Sequence, residues 1–320
     1  MENKKMENRK RYWEGKAERA AQAKRHTEDM ESRFTEEIFR CVQDSKEYTG
    51  WILNIPSGSR QLPEIHVQDI DTVSAIMECT DTPVAVLNFA SYKEPGGKFL
   101  EGSRAQEECL CHASYLYNIL REKKEFYRWN QEMLNRGLYM DRAIFTPDVH
   151  FFKGNEWRLA SVITCAAPNL YVAKKYQNIS DRENTETLDD RIKFILNVAE
   201  TEQIYTLILG AWGCGVFGQN PLEVASLFRK NLQGRRFGKV IFAIPKGDDG
   251  NYEAFRGVFP ENTKKDSYKV QFIDSILERM KEDSYYVARV KGDDTEAIDL
   301  DEEALSLLKA YFEGKTIDIQ

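Results

Sequence analysis

No stretch of the 320 residues approaches the roughly 18 uninterrupted apolar residues that a membrane helix needs, and no CxxC pair occurs anywhere in the chain. The first absence excludes a helical membrane protein and any membrane partner that such a segment would serve. The second matters because the six cysteines, Cys41, Cys79, Cys109, Cys111, Cys165 and Cys214, have no paired spacing. They read as buried thiols of a reducing compartment, not as a disulfide framework. The opening residues, MENKKMENRKRYWEGK, lack the apolar core of a secretory signal, so the expected location is cytoplasmic. Internal repeats and low-complexity tracts are also missing. Cys109, Cys111 and His112 cluster, but positions i and i+2 of a helix point to different faces, so no metal site is expected and no cofactor is called for.

What is present is the composition of a soluble globular chain, 42% hydrophobic and 30% charged, long enough for one large domain or two modest ones. A formal net charge of −7 argues against a partner bound through a broad basic face, which excludes duplex nucleic acid. The charge is uneven, with the first 35 residues net basic and the last 60 net acidic. A polyanionic substrate would therefore have to be held by local donors and not by the global field.

Residues 1–35, rich in Glu, Lys, Arg and Ala, read as a charged helical arm, solvated or partly disordered. From Thr35 the pattern changes. FTEEIFRCVQDSKEY has helical spacing, PVAVLNFA is a short strand bounded by Pro83, and a helix is expected from about Ser103 to Leu120. RLASVITCAAPNL reads as a strand, TLDDRIKFILNVAETE as a helix, IYTLILG as a strand, PLEVASLFRKNL as a helix and KVIFAIP as a strand. This alternation implies an α/β architecture with helices on both faces of a largely parallel sheet, whose ligands bind beyond the carboxyl ends of the strands. The domain expected to carry the chemistry spans 36–260. An acidic α/β extension, too small to promise its own core, is expected over 261–320.

Two glycine-rich loops follow strands. GAWGCGVFG, Gly210–Gly218, formally matches a dinucleotide fingerprint, but KVIFAIP ends without the acidic residue such a site needs, and the match sits late in the chain. In the other loop, Pro95-Gly96-Gly97 prescribes a tight turn, and Ser103-Arg104-Ala105-Gln106 has the form of a capping box. Glu107 and Glu108 then fall at the start of a helix. One reading has them complement the helix dipole. The other makes them a catalytic pair, in which repulsion between neighbouring carboxylates keeps one protonated.

The segments NFASYKEPGGKFLEGSRAQEE, TCAAPN and GAWGCGVFGQNP, in this order, resemble the bacterial-type poly(ADP-ribose) glycohydrolases over roughly Thr35 to Pro260. The resemblance implies a macrodomain-like α/β/α sandwich with a mixed sheet and ADP-ribose lying across both loops. It implies Glu108 as general acid and base at the anomeric carbon of the ribose, with Glu107 holding the ribose hydroxyls and Gln106 supporting the pair. Asn88 would contact the same ribose, and Gly96, Gly97 and Lys98 would line it. Gly213, Cys214, Gly215 and Val216 would offer backbone donors to the diphosphate, with Phe217 packed on the ribose. Asn169 is expected only to shape its loop. The substrates implied are poly(ADP-ribose) or ADP-ribosylated proteins, and the product is ADP-ribose.

One departure stands out, because the family has a third consecutive glycine where this chain has Lys98. If that glycine serves a positive φ, lysine costs on the order of 1 kcal/mol. An ammonium there could instead grasp a phosphate. The competing readings are a non-catalytic ADP-ribose-binding module with a spoiled catalytic loop and, more distantly, a nicotinamide-dependent oxidoreductase built on GCGVFG.

Overall fold

The apolar segments resolve, in a computed structural model that describes residues 2–50 and 62–260, into one mixed sheet between two helical layers. The chain opens with helices α1 (Glu2–Arg33) and α2 (Thr35–Asp44), then strands β1 (Lys46–Thr49) and β2 (Glu64–Gln68). Helix α3 (Thr72–Glu78) leads to β3 (Val84–Phe89), and after the first glycine loop come α4 (Gln106–His112), α5 (Leu116–Leu120) and α6 (Lys124–Glu132). A long hairpin, β4 (Arg142–Lys153) and β5 (Glu156–Cys165), precedes α7 (Leu170–Gln177) and α8 (Asp181–Thr201). Strand β6 (Thr206–Leu209), α9 (Pro221–Leu232), β7 (Lys239–Ala243) and α10 (Asn251–Val258) complete the described chain. The acidic extension expected over 261–320 lies outside the described residues.

The strand order is β1-β4-β5-β3-β6-β7-β2. From β5 to β2 every pairing is parallel, whereas β4 pairs antiparallel with both β5 and β1, so the sheet is mixed at one edge only. Alternation along β3 shows the layering. Ala85 and Leu87 join the core under α8, α9 and α10, while Val84 and Val86 join the core under α1 to α5. Both faces being covered explains why the parallel strands read as continuous apolar runs. Among the described residues no helix is long and apolar enough to cross a membrane.

Three expectations need correction. The helix expected from Ser103 to Leu120 is two helices, broken where Phe152 N–H donates to Ala113 O (2.7 Å) and Ser114 bridges Phe151. Pairing to β4 takes that backbone out of the helix. The strand over Arg142–Lys153 has no counterpart in the sequence reading, because Pro147 and Asp148 sit at a register shift between Thr146 and Val149 and interrupt its alternation. Lastly, the amino-terminal arm is helical, but from Lys16 onward it is not simply solvated. Ala23, Thr27 and Met30 are buried, which makes this part of α1 a packed element of the domain.

A buried arginine ties the carboxyl end of β5 to the loop before β4. Arg191, 1% exposed, donates to Ala166 O (2.7 Å) and Leu138 O (3.2 Å) and pairs with Asp141. Replacing Arg191 by Met leaves these acceptors without their donor and is expected to destabilise the fold by about 3 kcal/mol. Urea unfolding of the variant beside the wild type measures this.

Candidate active site

Strands β3 and β6 are parallel neighbours, so the loops that leave their carboxyl ends emerge side by side. These are the two glycine loops. Asn88, one residue from the end of β3, is wholly buried and faces the α4 layer beside its registered partner Thr164. Its Nδ2 donates to Thr164 Oγ1 (3.3 Å) and to Glu107 Oε1 (3.2 Å), while its Oδ1 is buried and has no partner among the described residues.

Helix α4 begins with its two carboxylates turned inward, Glu107 2% and Glu108 5% exposed. Groups that merely complemented a helix dipole would remain in solvent, so dipole compensation does not account for this burial. Glu107 Oε2 accepts from Ser91 N–H (2.6 Å), and Glu108 Oε1 accepts from Lys98 N–H (2.8 Å). Glu108 Oε2 is buried and has no partner among the described residues. Burial pushes the Glu107 carboxyl up to about 8; donors such as Ser91 N–H and the Asn88 amide oppose the rise, and the Glu108 charge adds to it.

The loop passes directly over the pair. Gly96 and Gly97 have φ of +68° and +59°, and a Cβ on Gly97 would stand 2.6 Å from Glu108 Oε1 and 2.9 Å from Glu107 Oε2. Only glycine allows this crossing. Lys98 stands outside that requirement, with φ −105°, so its departure from glycine carries no left-handed strain. Its backbone N–H holds Glu108, whereas its side chain is 66% exposed and lies 3.5 Å from Glu101. The reading of its ammonium as a phosphate clasp finds no support in this placement.

Gln106 is held by the strand below. Its Oε1 accepts from Phe89 N–H (2.9 Å) and its Nε2 donates to Leu87 O (2.9 Å). With both ends of the amide engaged by β3, Gln106 pins α4, and with it the two carboxylates, to the strand. For the same reason the capping box does not form, and Ala105 stands at the N-cap without a side-chain bond.

In the second loop, Trp212 is 1% exposed and anchors the turn, Cys214 is half-buried, and Val216 is 85% exposed. Burial raises the Cys214 thiol pKa, so the group is an inert neutral thiol. Among the described residues, the N–H groups of Gly213, Gly215, Val216 and Phe217 donate to no backbone carbonyl. Phe217 packs on the cluster of Tyr92, Tyr139 and Ala166, where Tyr92 and Tyr139 stack at 4.2 Å. Sequence reading did not find these tyrosines, nor the clamp that fixes the loop. Gln219 and Asn184 exchange amide bonds (2.9 Å each), Gln219 donates to Pro168 O (2.8 Å), and Gln219 N–H donates to Gly213 O (3.0 Å). Polar residues inside otherwise apolar helical and loop patterns were the available signal. Asn169 caps α7 through Val172 N–H (3.0 Å), a loop-shaping part.

Residues 16–154 match the family model for the microbial-type PARG catalytic domain. Among solved structures, the chain is similar to the poly(ADP-ribose) glycohydrolase of Thermomonospora curvata, at 28% identity and TM-score 0.65 over 75% of this chain and 98% of that one. The same enzyme bound to the inhibitor ADP-HPD matches at TM-score 0.66 and 28% identity, over 76% of this chain and 100% of that one. The poly(ADP-ribose) glycohydrolase of Deinococcus radiodurans in complex with ADP-ribose matches at 28% identity and TM-score 0.61, over 69% and 96%. A search of curated protein sequences finds no match.

The raised Glu107 carboxyl fixes the sign of a pH effect. A carboxyl with a folded pKa above its ordinary 4.5 stabilises the fold at low pH, and this contribution is lost as pH rises toward about 8. Glu107→Gln is therefore expected to gain stability relative to the wild type as pH rises from 5 to 8, by at most about 1.4 kcal/mol per unit. Denaturant unfolding at both pH values reads the difference. For Lys98→Gly, the exposed side chain leads to an affinity for ADP-ribose within about twofold of wild type and an unchanged salt dependence. The added backbone freedom should lower stability by about 0.5–1 kcal/mol. Calorimetric titration at two ionic strengths, with thermal unfolding, checks both.

Proposed function

We propose, for a chain that belongs to the family of bacterial-type poly(ADP-ribose) glycohydrolases, that it is a hydrolase releasing ADP-ribose from poly(ADP-ribose) or from ADP-ribosylated protein. The observation that carries this reading is the buried pair Glu107–Glu108 with Glu108 Oε2 left unpartnered beneath a glycine turn. A buried carboxyl oxygen without a hydrogen-bond partner is destabilising, and a substrate oxygen brought against it to accept its proton would relieve that cost.

The roles follow from the contacts. Glu108, held by Lys98 N–H through one oxygen, uses the other to protonate the oxygen that leaves the anomeric carbon as the glycosidic bond breaks. The resulting carboxylate then takes a proton from water as that water adds to the oxocarbenium-like carbon, which restores the acid and yields free ADP-ribose. Glu107, kept neutral by burial and fixed by Ser91 and Asn88, holds the ribose hydroxyls and limits the negative charge in the pair. The unpartnered Oδ1 of Asn88 accepts from the same sugar. The second loop takes the diphosphate on the N–H groups of Gly213, Gly215 and Val216; contrary to expectation the Cys214 N–H is not free, since it donates to Ala211 O (3.2 Å) within the turn. Gly215 suits this, since a Cβ there would meet nothing of the protein within 4 Å and any crowding would come from a ligand. Phe217, backed by Tyr139, walls the ribose.

The binding-module alternative rested on a loop spoiled by Lys98. With φ −105° and its N–H on Glu108, Lys98 leaves the loop whole, and the enzyme reading is the one favoured. The amide of Glu108→Gln keeps the shape but cannot move a proton. This variant is expected to release no ADP-ribose from poly(ADP-ribose) while binding ADP-ribose within about tenfold of wild type. Free ADP-ribose assayed after incubation, with binding by calorimetry, tests the assignment. Hydrolysis near the wild-type rate would remove Glu108 from the mechanism.

A further inference from the structure

The amino-terminal helix meets the catalytic loop at close quarters. Arg19 Nε donates to Gly102 O (2.8 Å), and a Cβ on Gly102 (φ +78°) would stand 2.2 Å from Lys16 O and 2.9 Å from Ala20 N. Gly102 closes the 3₁₀ turn Phe99–Glu101, and its N–H donates to Phe99 O (3.0 Å). The start of that turn is Lys98, whose carbonyl accepts from Glu101 and Ser103 N–H (3.1 Å each) and whose N–H holds Glu108. Phe99, 1% exposed, anchors the turn between the rings of His112, Tyr117 and, on α1, His26. His26 Nε2 lies 2.8 Å from Ser114 O, and Thr27 O accepts from Asn118 Nδ2 (3.0 Å), so the same helix also grips the segments that follow α4.

Lys16, Arg19, Ala20, Ala23, His26, Thr27 and Met30 recur at three- and four-residue spacing, the period of one helix face, and each is buried or half-buried. A helix that only decorated the domain would not need a glycine beneath its backbone, nor an arginine directed at a main-chain carbonyl of the loop.

We infer that α1 is a brace for the catalytic loop, and that Arg19 is a positioning residue which, through Gly102 and the 3₁₀ turn, holds the Lys98 N–H against Glu108. The kinetic part of this inference rests on the glycohydrolase reading, whereas the structural part stands apart from it. Misplacing a catalytic acid by about an ångström costs up to about 10²-fold in rate with little effect on ground-state binding. Loss of a brace therefore appears in kcat and not in KM. It also raises local opening of the turn without lowering global stability to match.

The experiment uses the full chain as wild type, Arg19→Ala and Arg19→Lys. Arg19→Ala is expected to speed amide hydrogen exchange over residues 98–103 by about tenfold, with distant core amides unchanged. Its kcat on poly(ADP-ribose) should fall about tenfold while KM and the affinity for ADP-ribose stay within about twofold. Arg19→Lys keeps one donor on a similar stem and should recover part of both losses. If Arg19→Ala no longer unfolds cooperatively, Arg19→Lys carries both readouts, with smaller changes expected in the same direction. Exchange at wild-type rates in either variant that folds overturns the brace, and faster exchange with unchanged kcat overturns its catalytic consequence. A wild-type protein that releases no ADP-ribose defeats the glycohydrolase reading instead, and the exchange measurement still decides whether α1 holds the loop.

Discussion

Two adjacent carboxylates taken out of water are the constraint around which this molecule is arranged. Desolvation of a carboxylate is costly unless it is neutralised or surrounded by donors, and here both remedies are in use. Burial raises the Glu107 carboxyl, which receives Ser91 N–H, while Glu108 receives Lys98 N–H on one oxygen. Those donors come from a loop that must pass over the pair with no side chain between, and this in turn sets the backbone at Gly96 and Gly97. The strand end supplies the remainder, with Asn88 and Gln106 fastening α4 to β3 from two sides.

The rest of the fold keeps this arrangement rigid and places a second loop beside it. Parallel neighbouring strands lie about 4.8 Å apart, so the loops after β3 and β6 begin at one strand spacing by construction. The second loop is held from below by the reciprocal amides of Asn184 and Gln219, and its wall is held by Arg191 reaching Leu138 and Ala166. These buried polar ties specify one geometry more narrowly than apolar packing would, since each lost bond leaves a group without a partner.

Much of this was legible in the chain itself, and the limits have physical causes. The segments over β3, β5, β6, α9 and β7 announced themselves because strands covered on both faces and an amphipathic helix follow simple periods. Glu107 and Glu108 stood out as a pair, and the two glycine loops marked the strand ends where they lie. The packed face of α1 was hidden because, Met30 apart, it is lined with alanine, threonine, histidine, lysine and arginine. Strand β4 was hidden by the Pro147–Asp148 bulge. Gln106 invited a capping-box reading that fails because a tertiary partner, the end of β3, competes for the same amide. The donors to the carboxylates could not be found from residue types at all, since Ser91 and Lys98 act through their main chain.

That last point bears on how the site can change over time. At Lys98 the backbone N–H serves Glu108 while the side chain points into solvent, and the conformation is open to any residue with an amide hydrogen. Proline alone is barred on chemical grounds. The position can therefore drift in sequence while its contribution to the acid persists unaltered. A comparison of side chains would see only a lysine in place of the family's glycine, and a mutational scan restricted to side-chain deletion would score the position as dispensable. Both would overlook a donor that only a change to the main chain, such as an ester in place of the amide, could remove.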